Sequence, residues 1–329
     1  MNKSLYGQII KIYNRIISTR LINKNNKVSR RIRAAIFHNI CFETEASFGS
    51  LNPDRIFYVI RNPQDSMGLF AAINYVVYHL EKAMLNGYEP VVDWQYYPNK
   101  YFSEDKDVGR VNVWEIFFRQ TTDISLKDVY NSKNVVMSSG DWDAAALGEV
   151  SNPDRLKKSH EIYQRYIHLN KDMEKKVEKE ARRVGVFEHN VLGVKIRGTD
   201  FITTQPKDHS KVFDAELAIE KIEEKNQVWG EFDRIYLSTE DVDILNEMKK
   251  YYGERLYYTD SHSISCKEVG NRWLGDYMDN SMTDKIESMT EYLISTYILA
   301  SVDYLIAPAV GGTVGAMRIK GQYKGLLVL

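Results

Sequence analysis

Val191-Leu192-Gly193-Val194-Lys195-Ile196-Arg197-Gly198-Thr199-Asp200 is the stretch on which the fold turns. Its first six residues are a short, mostly apolar run of the length a buried strand needs, and it breaks at once into glycine, hydroxyl and charge. Outward from it, residues 215–224 read as a helix, Arg234-Ile235-Tyr236-Leu237-Ser238 as a strand and residues 242–251 as a helix. Residues 288–302 form a long helical pattern with Leu293, Tyr297 and Leu299, and Tyr304-Leu305-Ile306-Ala307 is the next strand. The turn Val310-Gly311-Gly312-Thr313 then leads through a short helix to a last strand at 326–329. Strands alternating with helices at this spacing describe a parallel sheet with helical crossovers.

The same grammar holds upstream. Ile56-Phe57-Tyr58-Val59-Ile60 reads as a strand, and Leu69, Ile73, Val76, Val77, Leu80 and Met84 mark a helix closed by Asn86-Gly87. Val91-Val92-Asp93-Trp94 is the following strand, and residues 134–137 add another. The aromatic stretch from Tyr96 to Phe118 reads mostly as core packing, and residues 153–184 read as one or two charged, periodic helices bridging the halves. With 329 residues, two domains are expected. The predicted division is a basic N-terminal segment (1–45), an N-terminal Rossmann-like domain with linking helices (46–185) and a C-terminal Rossmann-like domain (186–329).

Composition narrows the function. The net charge of −1 provides no basic excess to neutralise nucleic-acid phosphates. Yet the first 40 residues hold nine Lys or Arg and no acid, leaving −10 for the remainder. Leu5, Ile9, Ile12 and Ile16 recur there at helical spacing, a pattern that suits either the surface of an anionic membrane or a solvated helix. Cys41 and Cys266 form no C-x-x-C pair, which fits a reducing compartment, and no apolar run reaches 18 residues. The expected location is the cytoplasm, with peripheral contact on the inner face of the membrane. The seven histidines make no H-E-x-x-H or His/Cys cluster, and no P-loop, G-x-S-x-G elbow or G-x-G-x-x-G fingerprint occurs. Asp141-Trp142-Asp143 has the D-x-D form of metal-dependent sugar transferases, but so short a match arises by chance.

Ligands of open α/β sheets bind beyond the carboxyl ends of the strands. Three loops lie there. Arg197 directly after a buried strand offers a forked cation suited to a diphosphate, with Gly198 and Asp200 beside it; the plain alternative is an Arg–Asp pair fixing a turn. In Ser238-Thr239-Glu240-Asp241 the polar groups suit a helix cap or, alternatively, contacts to nucleoside hydroxyls. Gly311-Gly312-Thr313 opens a helix whose first N–H groups suit phosphate, and Arg318 either adds charge there or closes that helix.

Residues 193–200 (GVKIRGTD) resemble the H-x-R-x-T-D type motif of the α1,6-, α1,2- and protein O-fucosyltransferase superfamily, with Lys195 in place of the usual histidine. Residues 234–241 (RIYLSTED) resemble that superfamily's next strand and acidic loop. Residues 292–318 resemble its last block, and Ser66-Met67-Gly68-Leu69 its first glycine loop. The resemblance implies a GT-B fold, two Rossmann-like domains facing each other across a cleft. It also implies an inverting, metal-independent glycosyltransferase using no cofactor, with GDP-fucose as the first donor to test. Carried over, Arg197 holds the diphosphate, with Lys195, Gly198, Thr239, Glu240, Glu291, Ser295, Gly311, Gly312 and Thr313 around the donor. Ser295 stands where an acidic residue recognises the base, with Glu291 one turn earlier. Gln205 and Phe201 stand near a catalytic glutamate and a lysine of some members, and Gly311-Gly312 replaces a serine pair. Asp200, Asp208 and His209 are the candidate bases, and Gly68, Asp93 and Trp94 the acceptor-side candidates. The setting suggests a bacterial enzyme of surface polysaccharide synthesis with a glycan acceptor on a lipid carrier. The rival readings are a nucleotide- or carbohydrate-binding protein of the same fold without catalysis, and a membrane-associated assembly factor.

Overall fold

A computed structural model describes residues 43–62, 68–97, 99, 108–140, 144–198, 213–259 and 285–329. The basic N-terminal segment, Asp141-Trp142-Asp143 and both cysteines lie outside them. The chain forms two α/β units, each on its own largely parallel sheet, as expected.

In the first unit the strands are β1 (Thr44–Ala46), β2 (Phe57–Arg61), β3 (Glu89–Asp93) and β4 (Val135–Met137), in the order β1-β4-β2-β3. β2 runs parallel to β3 and β4, with Arg61 opposite Asp93, and β1 is antiparallel to β4. Every residue of β2 is buried, as a central strand covered on both faces requires. Helix α1 (Leu69–Leu85) is the crossover between β2 and β3; its apolar residues recur at helical spacing and pack on those strands. Two short helices, α2 (Val113–Phe117) and α3 (Leu126–Val129), follow β3. Of the aromatic stretch, Tyr97, Trp114, Phe117 and Phe118 are core; Trp94 and Trp114 meet edge to face at 5.3 Å, and Trp114 stacks on Phe118 at 4.4 Å.

Two helices occupy 153–184: α4 (Pro153–Tyr166) and α5 (Lys171–Val184). The expected boundary placed both with the N-terminal half. The compact division instead falls at 144/145, and only residues 165–170 return to the first unit. The reason is packing. α5 buries Met173, Ala181 and Val184 and lies against the last long helix, while Glu180 accepts a hydrogen bond from Thr259 at 2.7 Å. The hydrophobic pattern marks these helices as amphipathic without saying which sheet their apolar stripes meet.

The second unit holds β5 (Val191–Lys195), α6 (Ala215–Trp229), β6 (Arg234–Ser238), α7 (Val242–Tyr252), β7 (Leu256–Tyr258), α8 (Lys285–Ser301), β8 (Tyr304–Ala307), α9 (Gly311–Lys320) and β9 (Gly325–Val328). All strand pairs are parallel, in the order β7-β6-β5-β8-β9. The chain winds from β5 toward β7, then reverses and continues from β8 to β9. The reversal makes a switch point between β5 and β8, where the crossovers part and leave a crevice at the strands' carboxyl ends. One face of β5 (Leu192, Val194, Ile196) enters the core with Ala218, Ile222, Ile244 and Met248; the period of two sends Gly193, Lys195 and Arg197 to the other face.

Candidate functional site

That second face lies under α8. Gly193 is packed so closely there that an added Cβ would stand 2.9 Å from Val302 and 3.1 Å from Leu299. Lys195, two residues on, is buried to 3% exposure. Its Nζ donates to Ser238 Oγ at 3.4 Å and lies 4.9 Å from the centre of the Tyr292 ring. Among the described residues this ammonium makes no ion pair with a carboxylate. Burial lowers its pKa to about 8; Glu240 opposes that fall, and the neighbouring Arg197 adds to it. Arg197 is half-buried at the mouth of the same face. It also acts on Tyr292, whose hydroxyl burial pushes up to about 12 against the pull of the guanidinium.

The β6 loop locks to the β5 loop. Gly198 N–H donates to Glu240 Oε1 at 3.1 Å, and a Cβ on Gly198 would stand 2.6 Å from Asp241 Cβ, so only glycine allows this approach. Asp241 is buried and caps α7 through Asp243 N–H at 2.9 Å and Ile244 N–H at 3.3 Å, and Thr239 Oγ1 accepts from Asp241 N–H at 3.2 Å. Of the two readings for this acidic loop, capping accounts for Asp241. Thr239 and Glu240 stay half-buried at the strand ends.

From β8 the chain turns into α9. Val310 precedes the helix without a side-chain cap, and no acid sits in its first turn. The first N–H groups of a helix have no intrahelical acceptor, so Gly311, Gly312 and Thr313 form a partial positive pole. Thr313 itself is fully buried, its hydroxyl bonded to Pro308 O at 2.7 Å, so its side chain is structural. Gly312 packs so tightly that a Cβ would collide with the Tyr292 hydroxyl and come within 3.2 Å of Lys195 Cε. Tyr292, Lys195 and the α9 turn are thus in one place.

Three expected contacts are corrected. Ser295 is 8% exposed and its hydroxyl is engaged within the protein: it accepts from Ser238 Oγ at 3.3 Å and donates to Tyr292 O at 3.0 Å. Trp94 is 1% exposed and belongs to the aromatic core. Asp93 is fully buried, and its carboxylate accepts from Gln95 N–H and Tyr96 N–H, each at 2.9 Å, and from the Tyr130 hydroxyl at 2.5 Å. Gly68 begins α1, its carbonyl accepting from Ala72 N–H at 2.9 Å. Glu291 is half-buried on α8, one residue before Tyr292. Arg318 does not serve the site by charge; it forms a buried ion pair with Glu149. Asp200, Phe201, Gln205, Asp208 and His209 lie outside the described residues. Tyr292 was not singled out by sequence, because an aromatic on a helix reads as core.

No group of three or more His, Cys, Asp or Glu gathers among the described residues, and none of the described helices is long and apolar enough to cross a membrane.

Comparison with known proteins now bears on this geometry. Residues 161–305 match the family model for alpha-(1,6)-fucosyltransferase N- and catalytic domains. Among solved structures, NodZ alpha-1,6-fucosyltransferase soaked with GDP-fucose is similar at 12% identity, with 81% of this chain and 93% of that one covered and a TM-score of 0.49. POFUT1 in complex with GDP aligns at 10% identity over 85% and 99%, with a TM-score of 0.43. A FUT1 mutant of Arabidopsis thaliana in complex with GDP aligns at 10% over 98% and 78%, with a TM-score of 0.48. These pairings are too distant to carry residue-by-residue correspondence. The match over 161–305 spans β5, β6 and α8, the elements that hold Lys195, Arg197 and Tyr292, and makes that stretch similar to a fucosyltransferase catalytic domain.

Proposed function

We propose that the second unit binds a nucleoside-diphosphate sugar at the β5/β8 switch point and that the protein transfers the glycosyl group to an acceptor hydroxyl. One observation carries this reading: two cations, Lys195 and Arg197, share the α8 face of the switch-point strand, beside the uncapped first turn of α9. Cations and helix N–H groups converging on a crevice form a diphosphate seat.

The chemistry follows from that seat. The acceptor oxygen attacks the anomeric carbon while the bond from that carbon to the diphosphate oxygen breaks, through an oxocarbenium-like state and with inversion. Negative charge grows on the departing diphosphate, where fixed cations stabilise the transition state more than the ground state. Arg197 is the principal group and Lys195 its buried companion. The acceptor proton passes to a base, with Asp200, Asp208 and His209 as the candidates in that order. Leaving-group charge met by side chains and N–H groups makes a metal unnecessary. The fucosyltransferase-like match supports GDP-fucose as the donor to test first. The basic N-terminal segment supports an acceptor on a lipid carrier at the inner membrane face, in bacterial surface polysaccharide synthesis.

The test is release of GDP from GDP-fucose in the presence of a metal chelator, with and without glycan acceptors, beside a thermal-shift panel of GDP, UDP, dTDP and ADP. A specific nucleotide at a hundredfold excess over its dissociation constant stabilises the fold by about 2.7 kcal/mol. Absence of both stabilisation and nucleotide release would remove this reading.

A further inference from the structure

The far end of α9 carries a second organised feature. Arg318 and Glu149 are 3% and 2% exposed, and they pair through two bonds: Nε to Oε2 at 2.8 Å and Nη2 to Oε1 at 2.6 Å. Ser159 Oγ also donates to Glu149 Oε1 at 2.8 Å, and Arg155 Nε lies 3.8 Å from it. The same α4 segment reaches the end of the helix. His160 Nδ1 bonds Arg318 O at 2.6 Å, and since a carbonyl only accepts, this nitrogen carries the hydrogen. Gln164 Nε2 donates to Ile319 O at 2.9 Å. The C-terminal carbonyls of α9 are therefore held by donors from one neighbouring helix, while its first turn has no side-chain cap and begins with two glycines.

We propose that the buried Glu149–Arg318 pair is a positioning device for the first turn of α9, fixing the height and rotation at which that turn presents its N–H groups, and so setting the affinity for the nucleoside diphosphate. The inference rests on that turn being part of the diphosphate seat. A buried ion pair returns little net stability over an apolar pair of similar volume, because desolvation offsets attraction. What it adds is direction: a guanidinium fork on a carboxylate allows one register, whereas an apolar contact tolerates sliding. Ten residues of helix span about 15 Å, so a rotation at Arg318 is carried as a rigid body to Gly311 and Gly312. Neither Glu149 nor Arg318 touches the ligand in this account; they act through the helix.

Two variants decide it. The first replaces both charges in one chain, Glu149→Leu with Arg318→Met, leaving no buried charge without its partner. The second, Arg318→Lys, keeps the charge and loses the fork. Binding of GDP, UDP, dTDP and ADP to the unaltered protein is measured by calorimetry, and the tightest ligand becomes the probe. The expected result for the double variant is a melting temperature near that of the unaltered protein with roughly tenfold weaker binding. The ³¹P resonances of the bound diphosphate should shift as well. Arg318→Lys should bind severalfold more weakly, and where the double variant does not fold, this variant decides alone. Unaltered affinity and ³¹P shifts, with or without a fall in melting temperature, would make the pair structural only and overturn the inference while leaving the nucleotide reading intact. No binding of any of the four nucleotides by the unaltered protein would overturn that reading, and the inference with it.

Discussion

At the carboxyl end of β3 the first unit carries Asp93, fully buried and accepting three hydrogen bonds from its own neighbourhood, while Arg61 on β2 donates to Ser138 O and lies over the Tyr97 ring. At the carboxyl end of β5 the second unit carries Lys195, also buried, and among the described residues it meets a hydroxyl at 3.4 Å and an aromatic face. Both sheets reverse their winding direction and both put charge at the reversal. In the first, the carboxylate of Asp93 is held by internal bonds. In the second, cationic charge stands beside a helix turn that begins with two glycines and holds no acid. Position in the topology nominates a site; the chemistry of the groups gathered there decides between scaffold and function.

The largest effect that would break this contrast is catalytic. Arg197→Ala should lower sugar transfer by about 3 kcal/mol or more in the activation barrier, the scale of losing one preorganised charge donor. Steady-state release of nucleoside diphosphate measures it, and unimpaired turnover would place the reaction elsewhere. In the first unit, Asp93→Ala should cost about 2–3 kcal/mol in urea-induced unfolding, because Tyr130 and two N–H groups lose their acceptor. Nucleotide affinity should not change. A loss of nucleotide binding in that variant, with stability intact, would reverse the roles given to the two sheets.

A smaller effect comes from pH. Unfolded, Lys195 holds its proton to about 10.5, but folded only to about 8, so between these values the unfolded chain binds more protons. Through this residue, raising the pH across that window stabilises the fold. Binding moves the opposite way, since a bound diphosphate favours the ammonium. Nucleotide affinity should therefore fall by up to about tenfold between about pH 7 and about pH 9, as the free site loses its charge. Calorimetry at three pH values checks this, with Lys195→Met as the variant expected to flatten the profile. The smallest effect sharpens the reading of the acidic loop: Asp241→Ala should cost about 1 kcal/mol of stability as a lost helix cap, seen in the unfolding midpoint. It should leave nucleotide affinity near its original value.

Much of the scaffold was legible because period and punctuation agree in it. Arg234–Ser238 and Tyr304–Ala307 are strands with the expected bounds, since each is a short buried run between breakers. Three-residue strands such as β1 and β7 were missed: Thr44–Ala46 and Leu256–Tyr258 are too short and too mixed in polarity to show a period. At the candidate site, Arg197 is legible as the charge directly after a buried run, and Lys195 only through the resemblance of residues 193–200 to the H-x-R-x-T-D type motif. That the Ser295 hydroxyl is engaged by Ser238 is not legible in the sequence, since the two lie 57 residues apart. Arg318 was left open for a similar reason: its partner, Glu149, lies 169 positions earlier, and no local pattern links them.

The central claim meets its most direct test in a calorimetric titration of GDP, UDP, dTDP and ADP into the unaltered protein and into Arg197→Ala, without added metal. The account predicts that one nucleoside diphosphate binds the unaltered protein and that the substitution weakens it by about tenfold or more, as expected for removing a charge-assisted bond to phosphate. Equal affinity in the two proteins would contradict it.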